Sequence, residues 1–352
     1  MKKNNYPLVS IIIATFNSAH TLSKVLDSLR KQTLAGSRME LLVVDGGSTD
    51  DTKKIALSYG CRVLQNPKTL PAWGKYYGYG SAKGKYAMFL DSDEVLESER
   101  DIERKVAVLD SNDSVRAVTG SGYMHPKNFS FFNQYASDFG DPFTFFYYRP
   151  SRDYRLFINT IVGKYRIVYE NTDHIVFDFS DRNELPIFEL VAMGSVIDLA
   201  YCKKHFPDVM NNPGIIAHLF NLLVSKHSYV AIIKNDPIIH YSADTPTKYL
   251  RKITSRVVSN IFTPAKEGFM GRNEFAPRSS HYKKYLFLPY AFTIIFPFID
   301  AIYLCVTREN VGYLVHVPLC FYTASLIVYY SGLKLLGFKP SLRSYGQAKV
   351  VS

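Results

Sequence analysis

With 352 residues and a formal net charge of +11, the chain is long enough for one catalytic domain of about 250 residues plus an attachment. Its four cysteines, Cys61, Cys202, Cys305 and Cys320, lack C-x-x-C spacing, which excludes a zinc site or a disulfide framework as the basis of the fold. The positive charge does not point to nucleic acid, because it gathers in one stretch: Lys248, Arg251, Lys252, Arg256, Lys266, Arg272, Arg278, Lys283 and Lys284 outweigh Asp244, Glu267 and Glu274.

No signal peptide is expected at the start, because Met1-Lys2-Lys3-Asn4-Asn5 leads straight into an apolar strand at residues 8–14. That strand ends at Thr15-Phe16-Asn17-Ser18, and a helix is expected over residues 21–32. A second buried strand, Leu41-Leu42-Val43-Val44, runs into Asp45-Gly46-Gly47. Two glycines let the backbone turn sharply there, and Ser48, Thr49 or Asp50 can cap a helix at 52–59. The third strand, Tyr86-Ala87-Met88-Phe89-Leu90, stops abruptly in Asp91-Ser92-Asp93. Strands alternating with helices specify a parallel sheet covered by helices, whose ligands bind where the strands end. Two carboxylates separated by one residue at such an edge suit a hard divalent cation meeting a diphosphate; a turn with two solvated acids is the plainer alternative.

The stretches Val9-Ser10-Ile11-Ile12-Ile13-Ala14-Thr15-Phe16-Asn17 and Val43-Val44-Asp45-Gly46-Gly47-Ser48-Thr49-Asp50, with Ala82-Lys83-Gly84-Lys85-Tyr86 leading into Asp91-Ser92-Asp93, resemble the nucleotide-sugar domain of family 2 glycosyltransferases. The likeness is close to about residue 100 and looser beyond it; each motif is weak alone, and their order and spacing are specific together. The resemblance implies a GT-A fold, an α/β architecture with a mostly parallel Rossmann-like sheet and flanking helices. It places Thr15, Phe16 and Asn17 at the nucleobase, Asp45 as acceptor of a hydrogen bond from the base, and Asp91 at the ribose or metal. Asp93 would ligate Mg²⁺ or Mn²⁺, with His240 beside the diphosphate or metal. A hard cation there would stabilise the charge that develops on the leaving diphosphate.

Two departures from the family stand out. Where relatives carry Arg-Asn before a Gly-x-x-x-Ala-x-Gly segment, this chain has Lys75-Tyr76 ahead of Gly78, Ala82 and Gly84; Lys75 keeps the positive charge near the phosphates without the bidentate geometry of arginine. Where relatives place Glu-Asp at a helix start ahead of a strand such as Pro237-Ile238-Ile239-His240, this chain reads Met210-Asn211-Asn212-Pro213-Gly214. An inverting transfer needs a carboxylate to take the acceptor's proton. Asp208 is the nearest candidate, with Glu189, Asp173 and Glu170 farther off. Either the base comes from one of these segments, or the chain binds a sugar nucleotide without efficient transfer.

Residues 123–183 are dense in aromatics, including Phe129, Phe131, Phe132, Phe143, Phe145, Phe146, Tyr147 and Tyr148 around Asp138-Phe139-Gly140-Asp141-Pro142. They form either core or an aromatic face at a lipid interface, with Asp141 near an acceptor. Beyond them, residues 285–306 and 311–336 are apolar runs, each long enough at about 1.5 Å per residue for a bilayer core of roughly 30 Å. Only Thr307-Arg308-Glu309-Asn310 separates them, which predicts an antiparallel hairpin; His281, Lys283 and Lys284 before it and Lys334, Lys339, Arg343 and Lys349 at its end place both ends in the cytoplasm. Pro289, Pro297 and Asp300 allow a re-entrant course for the first run. The spacing of Lys248, Arg251, Lys252 and Arg256 follows one helical face, suited to an acceptor phosphate or anionic lipid.

The sequence therefore predicts a GT-A domain over residues 1–242, divided into a nucleotide-sugar half (1–120) and an acceptor half (121–242). A basic interfacial connector (243–284), two membrane-spanning helices (285–336) and a cytoplasmic tail (337–352) follow. The expected activity is a metal-dependent, single-sugar transfer at the cytoplasmic membrane, from a nucleoside diphosphate sugar to a lipid-linked or glycan acceptor, with inversion implied by the family alone. The alternatives are a polyprenyl-phosphate glycosyltransferase making a lipid-linked monosaccharide and a non-catalytic membrane-anchored binding protein.

Overall fold

The computed structural model describes residues 8–149, 151–180, 188–262 and 282–338. It separates into two units, one of residues 1–126 and 153–241, the other of residues 127–152 and 242–352. The aromatic segment assigned from sequence to the acceptor half thus packs with the C-terminal helices. Residues 263–281 of the basic connector, with Lys266, Arg272 and Arg278, and residues 339–352 of the tail, with Lys339, Arg343 and Lys349, lie outside the described residues.

The first unit opens with β1 (Val9–Thr15), α1 (Ala19–Arg30), β2 (Met39–Asp45), α2 (Thr52–Ser58), β3 (Arg62–Gln65), α3 (Pro71–Ser81) and β4 (Tyr86–Asp91). It continues through β5 (Glu94–Leu96), α4 (Asp101–Ser111), β6 (Val115–Thr119) and β7 (Gly122–Met124). After the excursion into the other unit come α7 (Phe157–Ile161), β8 (Arg166–Glu170), β9 (His174–Asp178), β10 (Ser195–Asp198), α8 (Leu199–His205), α9 (Leu219–Ser225), β11 (Tyr229–Ile233) and β12 (Pro237–His240). The main sheet runs β3-β2-β1-β4-β10-β6-β11-β9-β8, and a small sheet runs β5-β12-β7. β1, β2, β3 and β4 are parallel, as the strand–helix alternation requires, and β10 enters antiparallel beside β4. Helices cover both faces of β1, so Ile11, Ile12 and Ile13 are all fully buried and the strand shows no apolar–polar alternation.

Register aligns the strand ends. Thr15 pairs with Asp45 across β1 and β2, and Ala14 pairs with Asp91 across β1 and β4, so the three strands end within one residue of each other at the sheet's carboxyl edge. Above them α3 lies unusually close to the sheet through two glycines one turn apart. A Cβ at Gly74 would fall 2.8 Å from Ala14 Cβ, and one at Gly78 would fall 2.2 Å from Ile12 Cγ2.

The second unit contains α5 (Phe131–Phe139), α6 (Pro142–Tyr148) and α10 (Pro246–Phe262). Its remaining helices are labelled α11 (Phe287–Phe292), α12 (Ile295–Thr307) and α13 (His316–Leu335). Tyr135 and Phe139 of α5 and Tyr249, Ile253 and Val257 of α10 form its core with Leu304, Tyr313 and Leu319. Of the two spans expected in the hairpin, one is a single helix and the other is broken. Among the described residues one helical stretch, Val311–Leu335, is long and apolar enough to cross a membrane by itself, whereas Lys283–Phe292 and Ile295–Thr307 meet at a bend of 91°. The bend is made at Ile294, which stands at φ 62°, a region β-branched residues rarely enter.

Candidate functional site

The carboxyl edge of the first unit carries the site. Asp45 is buried, and its carboxylate accepts hydrogen bonds from Gly47 N at 3.0 Å, Ser48 N at 3.0 Å and Ser48 Oγ at 2.5 Å. Ser48 Oγ in turn accepts from Asn17 N at 2.8 Å, and Asn17 Oδ1 accepts from Thr49 N at 2.8 Å. Asn17, at φ 48°, and Asp45 therefore lace the ends of β1 and β2 into one turn. Beside them Phe16 is half-buried, and Thr15 Oγ1 is buried with no hydrogen-bond partner among the described residues. A buried hydroxyl without a partner is costly, which fits a polar ligand atom at this position.

The Asp91-Ser92-Asp93 turn is held from below by a residue the sequence reading passed over. Glu94 is fully buried; its carboxyl accepts from Asp91 N at 3.0 Å, Met193 N at 3.0 Å and the Tyr123 hydroxyl at 2.5 Å. Burial, and after it the charge of Asp91, push its pKa up to about 8. Its signal in the sequence is an acid directly after the D-x-D motif, at the first position of the returning strand. β5 pairs with β12 so that His240 lies opposite Glu94. The His240 ring stacks on Tyr123 at 4.4 Å, with Nε2 3.8 Å from Asp93 Oδ2.

Because α3 sits so low on the sheet, Lys75 is buried and its Nζ reaches Asp91 Oδ1 at 2.7 Å. Burial alone would lower the ammonium's pKa; the carboxylates of Asp91, then Glu94 and Glu189, outweigh it and hold the group above the ordinary lysine value. Lys75 stays charged at neutral pH.

The donor chemistry fits a hard cation. Asp91 and Asp93 keep side-chain exposures of 36% and 24%, so both carboxylates are open to an incoming ion. No group of three or more ligating side chains forms a cage among the described residues. Magnesium-type ions bound with a diphosphate need only one or two carboxylates, the rest of the shell coming from phosphate and water. With Lys75 on Asp91, Asp93 is the more available ligand.

The carboxylates weighed as the base separate clearly. Glu170 pairs with Lys234 at 2.6 Å and Asp173 with Arg104 at 2.8 Å, on the strands farthest from β3 in the main sheet. Asp208 is exposed on the short turn Pro207–Met210, which Tyr76 ties to α3 by donating to the Met210 carbonyl at 2.6 Å. Glu189 is half-buried, and its charge reaches Lys75. At the expected helix start Asn212 caps a 3₁₀ turn, accepting from Gly214 N at 2.9 Å.

In the second unit the basic residues of α10 divide among different partners and do not converge on one point. Lys252 is buried and donates to Ser242 Oγ at 2.7 Å, Arg256 pairs with Asp141 at 3.0 Å, Lys248 lies 3.5 Å from Asp244, and Arg251 is exposed. The four positions wrap around the helix enough that Lys252 turns to the core and Arg256 toward Asp141, while Arg251 faces outward.

The family described as glycosyl transferase family 2 matches residues 10–166. An uncharacterized glycosyltransferase of Rickettsia typhi is 36% identical over 126 residues, covering 35% of this chain and 39% of the relative. A PGL/p-HBAD biosynthesis glycosyltransferase of Mycobacterium bovis is 34% identical over 131 residues, covering 35% of this chain and 50% of the relative. The chain thus spans half or less of the length of these curated relatives. A solved mannosyltransferase from Pyrobaculum calidifontis, in complex with GDP-Man and Mn²⁺, superposes over 92% of this chain and 87% of its own, with a TM-score of 0.55 at 13% identity. At that identity the likeness speaks to the fold alone. Residues 10–166 thus match glycosyl transferase family 2, and the fold is of the GT-A kind.

Proposed function

We propose that the protein is a membrane-attached glycosyltransferase that moves a sugar from a nucleoside diphosphate donor to a lipid-linked or glycan acceptor. The observation that carries this reading is the gathering of Thr15, Asp45 and Asp91 at neighbouring strand ends, with Lys75 on Asp91. Thr15 offers the donor's nucleobase a hydroxyl, and Asp45 keeps the turn beneath the base rigid, its oxygens already engaged by Gly47 and Ser48. Lys75 presents a fixed positive charge toward the phosphates. Asp93, with Asp91 and His240 at its side, would hold Mg²⁺ or Mn²⁺, and the bound cation would neutralise charge on the leaving diphosphate.

In the transfer, the acceptor oxygen bonds to the anomeric carbon as the bond from that carbon to the diphosphate oxygen breaks, and the acceptor's proton passes to a carboxylate. Asp208, on the Pro207–Met210 turn that Tyr76 ties to α3, and the half-buried Glu189 are the candidates for it; one-step displacement inverts the anomeric centre. A donor screen by mass spectrometry on the membrane fraction, scored against Asp93→Ala, tests the reading. Transfer lost in that variant supports it, and the absence of transfer or nucleotide release across a broad panel with Mn²⁺ favours a binding protein.

Asn212 at the place of the usual acid favours a second reading. A polyprenyl phosphate arrives already ionised and needs no base, so its product would be a charged sugar-phosphate lipid. The C-terminal unit would attach the protein to the cytoplasmic face of the membrane, with Lys283 and Lys284 ahead of its apolar helices.

A further inference from the structure

The C-terminal helices present an apolar exterior that water does not favour. On α12, Pro297, Ala301 and Leu304 face inward, while Ile295, Ile299, Ile302 and Val306 form an exposed stripe on the other side. α13 likewise exposes Phe321, Val328, Tyr329 and Leu335. Surface of this extent marks a lipid or protein partner. Tyr282 and Tyr285, both exposed, and Lys283 and Lys284 stand at the entry to this surface, the aromatic and basic pairing found at the edge of a bilayer rich in anionic headgroups.

Two features set the course of these helices. First, the 91° bend is pinned by side chains from both limbs. The Tyr290 hydroxyl, before the break, donates to Asp300 Oδ2, after it, at 2.6 Å, and the same hydroxyl lies 2.9 Å from His316 Nε2 at the start of α13. Arg149 closes the set by donating to Asp300 Oδ1 at 2.6 Å. A straight helix over this run would separate Tyr290 from Asp300 and leave Asp300 without that partner. Second, α13 runs beside α10. Tyr322 OH lies 2.9 Å from Thr254 Oγ1, Lys334 donates to the Ile261 carbonyl, and Leu326, Ile327 and Tyr330 pack on the core that includes Ile253 and Val257. The outer face of α10 carries Arg251, Ser255 and Ser259. If α13 crossed the hydrocarbon, this polar face would be carried into lipid with it, at high cost.

We propose that the C-terminal unit is embedded in one face of the bilayer, with α11 and α12 forming a re-entrant pair and α13 lying along α10 at the headgroup level, so that neither apolar run crosses. The inference rests on the membrane attachment proposed above and replaces its anchor with an interfacial one. Its occupant is a bilayer surface containing anionic phospholipid.

Three single cysteines separate the topologies: Tyr282→Cys before the bent pair, Glu309→Cys in the link and Leu336→Cys after α13, each in the full chain with Cys305→Ser, since Cys61, Cys202 and Cys320 are buried. The full chain is expressed in bacterial cells and probed with a membrane-impermeant maleimide in inside-out vesicles and in intact spheroplasts. The expected result is labelling of all three in inside-out vesicles and of none in spheroplasts. Labelling of Glu309→Cys in spheroplasts would establish two crossings, and labelling of Leu336→Cys there a single crossing; either overturns the inference and leaves membrane attachment standing. Recovery of the chain in the soluble fraction would remove the attachment itself and the inference with it.

Discussion

Lys75 Nζ sits 2.7 Å from Asp91 Oδ1, a buried ammonium on the first acid of the D-x-D motif. The pair links helix α3, proposed to face the phosphates, with the turn after β4, proposed to face the cation. Replacing Lys75 by Met removes a fixed charge that a leaving diphosphate would need, and transfer should fall by about 10²-fold in kcat/KM. Lys75→Arg should recover only part of this, because the space between α3 and β1 admits a compact ammonium more easily than a planar guanidinium. Steady-state kinetics of both variants, at saturating cation, check the prediction.

Glu189 and Asp208 can be compared directly. Glu189 is half-buried, whereas Asp208 is exposed on its 3₁₀ turn. If a protein carboxylate takes the proton, Glu189→Gln should lower kcat by about 10²-fold or more, and Asp208→Asn should leave turnover near that of the parent. The reverse ranking would move the base to Asp208. Little change in either variant would favour an acceptor that arrives ionised.

The strand ends were legible from sequence because an apolar strand buried on both faces leaves a run with no alternation, and its abrupt end in Thr15, Asp45 or Asp91 is visible in one dimension. Glu94 was not, since its meaning depends on Tyr123 and Met193, far away in the chain. The bend at Ile294 escaped for a similar reason: residues 285–306 read as one apolar run, and the contacts of Tyr290 with Asp300 and His316 that hold the break are formed only in the folded unit. The convergence of Lys248, Arg251, Lys252 and Arg256 failed because spacing gives a helical face but not which edge of that face meets the core.

Gly78 offers a test of how α3 is seated. A methyl group there would meet Ile12 Cγ2 at 2.2 Å, so Gly78→Ala must lift the helix from β1 and carry Lys75 away from Asp91. The expected cost is about 1–3 kcal/mol of stability together with lost transfer. Gly80→Ala is the control, because its methyl would meet only the flexible Met210 side chain, at 3.3 Å; its better helix propensity should leave stability unchanged or slightly raised. Thermal unfolding in detergent compares the two.

A buried ionic cluster in the first unit predicts a pH dependence. Lys105 pairs with Asp101 at 2.6 Å and with Asp236 at 3.1 Å, all three fully buried. Burial, the largest cause, raises the Asp101 pKa well above the ordinary 3.8 despite the lysine. The folded protein therefore holds a proton that the unfolded chain releases, so the contribution of this group is present below the unfolded pKa and is lost as pH rises through the folded one. Asp101→Asn should flatten the fall in melting temperature with rising pH above the ordinary carboxylate range. Lys105→Met, which strands two acids in the core, should cost about 3–5 kcal/mol.

Thr15 distinguishes a ligand-binding hydroxyl from an architectural one. With no partner for Oγ1 among the described residues, Thr15→Val removes an unsatisfied buried polar atom at nearly constant shape. The ligand-free protein should become more stable by about 1 kcal/mol. If the hydroxyl bonds the donor's base, the same change should weaken donor binding by about 10-fold, the loss of one hydrogen bond. Calorimetric titration with the active nucleotide sugar and thermal unfolding without it give the two numbers. Opposite signs for stability and affinity mark a group whose partner is the substrate, whereas a loss of both would make Thr15 part of the sheet's own structure.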